Sequence, residues 1–381
     1  MRGTGLVVGV GVVLGALGAG AAWVSREAAP APEGSATIKV SEALGARGGT
    51  SEGYTRALAP RDFHFPEDHG PHPDFRTEWW YWTGHLRTAD GRAFGYQFTL
   101  FRSALAPAEP PGTSAWRTRQ LYMGHLTVSD LGAGRFHAFE RFSRSALGLA
   151  GARTSPLRVW LEDWGVEAVE GEAPPLRLTA REGDVALSLV LEGGEPAVLQ
   201  GDRGLSQKGP EAGNTSYYYS LPRMPTRGQV TVEGRAYEVT GESWMDREWG
   251  TNALSAGQVG WDWFSLQLSD GSALMYYQLR HEDGTVDPFT AGTFIPARGE
   301  PVHLKREDVR LETDYGRDLP VVLADKSQLE TAVMNLAVNA RDAMRGVVEP
   351  GDAVVTIKTR RLTADQARAM GWTAVATDEV A

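Results

Sequence analysis

Cysteine is absent from all 381 residues. That excludes disulfides, thiolate nucleophiles, thiolate metal sites and a lipid-modified cysteine anchor. An excess of positive charge is absent as well. The 38 Lys and Arg stand against 48 Asp and Glu, for a formal net charge of -10 and a pI near 5.4. A general nucleic-acid binder is therefore not expected. Between residues 63 and 313 no stretch carries a helical period of useful length. No Gly-x-Ser-x-Gly elbow occurs, so an α/β-hydrolase mechanism has no support. His69 and His72 have metal-like spacing, but Gly70, Pro71 and Pro73 place them in a loop without a nearby third ligand. A structural or capping role fits them better, and neither metal nor other cofactor is expected.

What is present begins with Arg2 and an uncharged run over residues 3–24. Residues 1–24 read as a secretory signal, with Ala19-Gly20-Ala21 as a cleavage site, or as an uncleaved membrane anchor over residues 6–24. Either way the chain is exported, periplasmic or extracellular, or membrane-held through this segment alone. Residues 25–60, rich in Ala, Pro, Gly and Ser, read as a flexible linker.

Residues 76–102 read as a β-hairpin around Asp90-Gly91, a two-residue type I′ turn signal. That turn sets Trp79 opposite Arg102, Tyr81 opposite Leu100, Thr83 opposite Phe98 and His85 opposite Tyr96. Trp80 and Trp82 then share the other face with Phe101 and Thr99. Both faces carry aromatic residues, so both sides must be filled or covered. Residues 121–129, 185–191, 216–221, 229–232 and 237–241 also fit strands, and the fold class is mainly β, a sandwich or barrel. Residues 258–280 repeat the order Trp-x-Trp, Asp-Gly, aromatic return strand and closing Arg, which suggests two related β domains in tandem.

Between them lies 241–250, GESWMDREWG. In an extended chain Trp244, Asp246 and Glu248 share one face, and Met245, Arg247 and Trp249 the other. Carboxyls against tryptophan walls are raised in pKa and suited to acid/base work. The alternative is a salt-bridged turn in which Arg247 or Arg280 neutralises Asp246 or Glu248. His85 and His125 sit mid-strand within the aromatic set and read first as buried, hydrogen-bonded histidines.

The segments FPEDHGPHPDFRTEWWYWTGHL, FGYQFTLFR and WMDREWG…GWDWFSLQL together resemble the bacterial AttH family, related to carotenoid and kievitone hydratases and to lipocalin-like Diels–Alderases. The resemblance implies a lipocalin-like barrel over 61–235 and a second, cut-short one over 236–313, with an apolar small molecule as partner. It does not imply one reaction: an active enzyme of this kind would carry hydratase- or hydrolase-like, lyase-type chemistry, and a non-catalytic lipid or isoprenoid carrier is the alternative. Protonating an isolated C=C bond requires an acid in a dry site, for which Asp246, Glu248 and Asp262 are candidates. Trp80, Trp82, His85, Tyr96, His125, Trp244, Trp249, Trp261 and Trp263 are the candidate ligand walls. The carotenoid hydratases carry histidine-containing versions of the 241–250 segment where Arg247 stands here, which favours the broader secreted branch.

Residues 325–344 form the first amphipathic helical pattern, with Asn335, Asn339 and Asp342 on one face, and 353–360 reads as a strand. The tail over 316–381 resembles the N-box region of histidine-kinase ATP-binding domains. In that family the equivalents of Asn335 and Asn339 line the ATP–Mg site. No Asp-x-Gly-x-Gly box, ATP lid or phosphoacceptor histidine accompanies them, so kinase activity is not expected. An exported β domain joined to a kinase-like fragment reads as a chimaera of two truncated genes.

Overall fold

The computed structural model describes residues 51–109, 111–171, 173–251, 254–255 and 257–309, with the backbone of three further short strands. Of the expected signal or anchor only the backbone of Val10–Val12 is described, and most of the expected linker, with Asn335 and Asn339, lies outside the described residues. Two units are distinguished. One contains a three-stranded parallel sheet of β1 (Val10–Val12), β19 (Leu311–Asp314) and β20 (Val355–Thr359), in the order β1-β20-β19.

The other unit is almost entirely β. In chain order it runs β2 (Thr77–Arg87), β3 (Ala93–Ala104), β4 (Gln120–Asp130), β5 (Arg135–Arg144), β6 (Ala150–Arg153), β7 (Arg158–Leu161), β8 (Trp164–Ala168), β9 (Leu176–Glu182) and β10 (Val185–Leu191). Next come β11 (Val198–Leu199), β12 (Leu205–Gln207), β13 (Thr215–Val232) and β14 (Arg235–Gly250). These form one antiparallel sheet with the path β5-β4-β3-β2-β14-β13-β10-β9-β8-β7-β6, and it curls so that β7 packs across β3, β4 and β5. Four more strands, β15 (Gln258–Gln267), β16 (Ala273–His281), β17 (Ala291–Ile295) and β18 (Val302–Lys305), form a separate antiparallel sheet in that order. β14, which opens the expected second domain, is hydrogen-bonded into the large sheet between β2 and β13.

The first hairpin forms, but its register differs from the expected one. Gly91 takes φ 91° and its amide donates to the Thr88 carbonyl, so the chain reverses through a longer turn over 88–92 that closes at Arg87 and Ala93. Trp80 therefore faces Leu100 and Trp82 faces Phe98, while Tyr81 faces Thr99 and Trp79 faces Phe101. The longer turn moves the return strand by one residue, and a one-residue move exchanges its two faces. The second hairpin turns in the same way, with Gly271 at φ 91° and its amide on the Leu268 carbonyl. The two short strands expected over 216–221 and 229–232 are one 18-residue strand, β13, with a register shift between Leu221 and Met224.

Alternation along the strands fills the barrel. Trp80, Trp82, Phe98, Leu100, Trp164 and Leu189 are all fully buried in one core. Burying a large apolar side chain is worth about 1.5–3 kcal/mol each, so this interior is the main stabilising term. The end of the expected linker is docked rather than free. Ala57 is buried, its carbonyl accepts from the Thr215 hydroxyl, and the Ala59 carbonyl accepts from the Tyr217 hydroxyl at 2.8 Å. The satisfied backbone carbonyls hold this segment against the sheet.

Trp80 and Trp82 are equally buried but differently satisfied. The Trp80 indole donates to the His69 carbonyl at 2.9 Å and lies 4.0 Å beneath the Arg247 guanidinium. The Trp82 Nε1 is buried with no hydrogen-bond partner among the described residues. Trp80→Phe should therefore destabilise the fold by about 1–3 kcal/mol more than Trp82→Phe. Urea denaturation of the two variants measures the difference, and equal losses would contradict it.

Candidate functional site

Strand β14 is buried continuously from Trp244 to Gly250, and its alternation sends two sets of side chains to opposite faces, as the sequence implies. Met245, Arg247 and Trp249 enter the barrel. There the Arg247 and Arg102 guanidinia clamp the Glu78 carboxylate, one oxygen each. Arg247 also donates to the Gly70 carbonyl at 2.6 Å, and Arg102 to the Phe75 carbonyl at 2.8 Å. Burial pushes the Glu78 carboxyl up, but the two guanidinia and His72 outweigh it and hold it below the usual carboxylate range.

His72 stacks on Trp249 with centroids 3.8 Å apart and its Nε2 lies 3.0 Å from Asp68 Oδ1. Burial raises Asp68, yet hydrogen bonds from His72, the His64 amide and Arg61 bring it to about 2. His69, beside the Tyr219 hydroxyl at 2.6 Å, is lowered to about 4 by burial, with Arg247 adding to it. His69 and His72 thus cap this end of the barrel through Tyr219 and Asp68, and no metal-ligand cluster occurs among the described residues. Arg247 serves Glu78, so it does not neutralise Asp246 or Glu248 as the salt-bridged alternative supposed. Arg280 lies 3.1 Å from Asp262 instead.

The outward set is Trp244, Asp246 and Glu248. Asp246 is 3% exposed. Its Oδ1 accepts from the Ser220 hydroxyl at 2.6 Å and the Trp244 indole at 2.7 Å, and its Oδ2 from the Tyr218 hydroxyl at 2.9 Å. These donors are all neutral. Burial therefore dominates, the hydrogen bonds only temper it, and the Asp246 carboxyl is raised to about 7. Glu248 differs by having a cation. Lys208 Nζ lies 3.4 Å from its Oε1, and the Ser216 hydroxyl donates to the same oxygen. That ammonium also sits 3.7 Å from the Tyr277 ring centroid.

Aromatic residues of the four-stranded sheet lie over this face. Trp263 meets Tyr81 edge-on at 4.9 Å and Trp244 at 6.4 Å, and donates its indole N–H to Tyr218 at 3.1 Å. Trp261 lies nearly parallel to Trp79, 15° apart at 6.5 Å. Trp79, Tyr81, Trp261 and Trp263 are only half-buried, so the layer is open at its margin. His85 Nε2 lies 2.8 Å from Gln267 Oε1, and Gln267 in turn donates to the Pro222 carbonyl at 2.7 Å, fastening the two sheets.

Of the expected site residues, the structure gathers Asp246, Glu248, Trp244, Trp261 and Trp263 on this face. His85 and His125 stand on the same outer face of the barrel. Trp80, Trp82, Tyr96 and Trp249 belong instead to the packed interior. Asp262, alternating with the inward Trp261 and Trp263, points away and pairs with Arg280. Tyr218, Ser220, Lys208 and Tyr81 were not singled out from the sequence. Alternation within 216–221 would have placed Tyr218 and Ser220 together, but only pairing of β13 with β14 brings them to Asp246.

A curled antiparallel barrel with a filled aromatic interior, faced by a second antiparallel sheet, defines a lipocalin-like β protein. The chain belongs to the AttH-like family, which matches residues 56–339. A crystal structure of an AttH protein from Nitrosomonas europaea is 34% identical, with a TM-score of 0.59 over 67% of this chain and 78% of that one. Kievitone hydratase from Nectria haematococca shares the fold at 17% identity and a TM-score of 0.50, covering 66% of this chain and 71% of that one. Kievitone hydratase of Fusarium solani subsp. phaseoli is 26% identical over 132 residues, 33% of this chain and 36% of that protein. A stretch of 61 residues is 46% identical to the sensor kinase CckA of Brucella abortus, 16% of this chain and 6% of that protein.

Asp246 and His69 give opposite pH dependences. Asp246 is raised from 3.8 to about 7, so its contribution to stability is full at low pH and lost as pH rises through about 7. His69 is lowered from 6.5 to about 4, so its contribution is present above 6.5 and lost as pH falls through about 4. Wild type should lose stability relative to Asp246→Asn, by a few kcal/mol, between about pH 4 and about pH 8. Urea titrations across that range read it. A constant difference would show that the Asp246 carboxyl is not held protonated.

Proposed function

We propose that this AttH-family chain binds and transforms an apolar small molecule by proton donation from Asp246, with hydration of a C=C bond as the reaction. The observation that carries the reading is a carboxyl raised to about 7 by burial, set among Trp244, Tyr218, Tyr81 and Trp263. A proton donor with a pKa near the working pH is the efficient one. The proton leaves the Asp246 carboxyl for one alkene carbon, and the neighbouring carbon takes up positive charge against the indole faces of Trp244 and Trp263. A water oxygen then bonds to that carbon and releases a proton to the Asp246 carboxylate, restoring the acid. Trp261 and Trp263 of β15 are half-buried, and a ligand would enter at this margin. Glu248, tied to Lys208 and Ser216, fixes charge beside the acid.

The kinship with kievitone hydratase supports hydratase-like chemistry, and the run over residues 3–24 supports export or membrane attachment. A non-catalytic carrier of apolar molecules is the competing reading, favoured by the saturation of Asp246 by three protein donors. The two separate in one experiment. The full chain is incubated with kievitone or squalene in oxygen-18 water, and products are weighed by mass spectrometry. Wild type should yield a product heavier by one labelled water, and Asp246→Asn should lower its rate by about 10²–10⁴-fold with binding retained. Binding without labelled product from wild type would establish the carrier.

A further inference from the structure

The pairing register places a row of ionisable and hydroxyl side chains straight across the barrel's outer face. Asp246 on β14 is opposite Tyr81 on β2, Tyr81 opposite Thr99 on β3, Thr99 opposite His125 on β4, and His125 opposite Glu140 on β5. Thr99 is 1% exposed, and its hydroxyl is buried without a hydrogen-bond partner among the described residues. A buried polar group left unpaired is costly, and one persisting in a fold calls for a reason. The unpaired indoles of Trp82 and Trp249 lie inside the filled barrel, out of reach of a ligand. Thr99 lies on the opposite face, among half-buried rings.

Those rings form a track. Trp261 to Trp79 spans 6.5 Å between centroids, Trp79 to Phe101 6.4 Å, and Phe101 to His125 5.4 Å. At its outer end His125, with its side chain 20% exposed, lies 3.0 Å from Glu140. The face is thus apolar along the rings, acidic at Asp246, and supplied with one unused hydroxyl between them.

We propose that this track is a subsite for the hydroxyl-bearing end of the ligand, with Thr99 Oγ1 as its hydrogen-bond partner. The inference rests on the reading of Asp246 as the proton donor. Thr99 lies two strands from Asp246, roughly 10 Å at the usual strand spacing. The ligand class is accordingly an elongated apolar alcohol whose double bond lies roughly 10 Å from its hydroxyl. Thr99 sets specificity and takes no part in the proton transfer.

The test uses nonenol, with double bond and hydroxyl at opposite ends, and nonene as the control lacking the hydroxyl. Dissociation constants come from isothermal titration of the full chain. Thr99→Val keeps the shape and removes the hydroxyl. It should weaken nonenol by about 3- to 10-fold, the worth of one neutral hydrogen bond, and leave nonene unchanged. Thr99→Ser should restore nonenol binding. Without ligand, Thr99→Val should melt no lower than wild type, because the hydroxyl it loses is unpaired. Equal weakening of both probes, no weakening of either, or a lowered melting temperature would overturn the subsite. Failure of wild type to bind either probe overturns it together with the apolar-ligand reading. Selective weakening of nonenol alongside undiminished turnover in Asp246→Asn would leave the subsite standing and retire only the acid.

Discussion

A strand buried on both faces constrains everything around it, and β14 is such a strand from Trp244 onward. Its sequence alternates charge across both sides, with Asp246 and Glu248 outward and Arg247 inward. Each charge removed from water needs a partner or must be neutralised. On the inner side β2 supplies Arg247 with a charged partner, Glu78, whereas on the outer side β13 gives Asp246 only neutral hydroxyls, and that difference separates the structural end of the barrel from the candidate site.

Inside, Glu78 and Arg247 are diagonal neighbours on β2 and β14, and Arg102, directly opposite Glu78 on β3, completes a three-member cluster closed by backbone carbonyls of the 70–75 segment. Such clusters add little net stability over a packed apolar equivalent, but breaking one member is costly. Its consequence here is positional: it ties the loop carrying His69 and His72 to the first turn of the barrel. Outside, Asp246 is buried as deeply as Glu78 but faces hydroxyls and an indole, with no guanidinium in contact. Equal burial therefore gives opposite outcomes, one carboxyl held ionised and the other held near neutrality. Cation placement decides between them, because neutral donors lower a buried carboxyl less than adjacent full charges do.

Much of this was legible in the sequence. Period-two alternation assigned the faces of β14 correctly, and the Trp-x-Trp and Asp-Gly signals marked both hairpins. The motifs around 63–102 and 244–267 carried the family. What was not legible depends on pairing. The turn at Gly91 shifts the return strand by one residue, and no property of Asp90-Gly91 alone distinguishes the two turn forms. Asp262 shares composition with Asp246 but stands on the wrong side of β15, since the tryptophans beside it claim the inward face. Lys208 lies in an unremarkable loop 40 residues before Glu248 and meets it only because β12 folds back on β13. The segment from Ala57 to Ala59 reads as linker because it closes a stretch, residues 25–60, rich in Ala, Pro, Gly and Ser. Its carbonyls bind the sheet through hydrogen bonds that composition does not encode.

The candidate site is organised across strands rather than along them. Ser220, Asp246, Tyr81, Thr99, His125 and Glu140 are scattered from residue 81 to residue 246, yet each is the direct cross-strand neighbour of the next. Parallel to that row runs Tyr218, Glu248, Trp79, Phe101, Met123 and Phe142, nearly all aromatic or apolar. Two adjacent rows, one polar and one apolar, make an amphipathic band perpendicular to the strands. A single strand read by itself shows only one member of each row, as a Tyr81 beside a Trp79 or a Thr99 beside a Phe101. The packed interior gives the band its rigidity, because every side chain pointing outward is anchored by inward neighbours that cannot move without opening a cavity. A mobile apolar ligand can be held on such a face only if the face itself does not yield, and the filled barrel behind it supplies that condition.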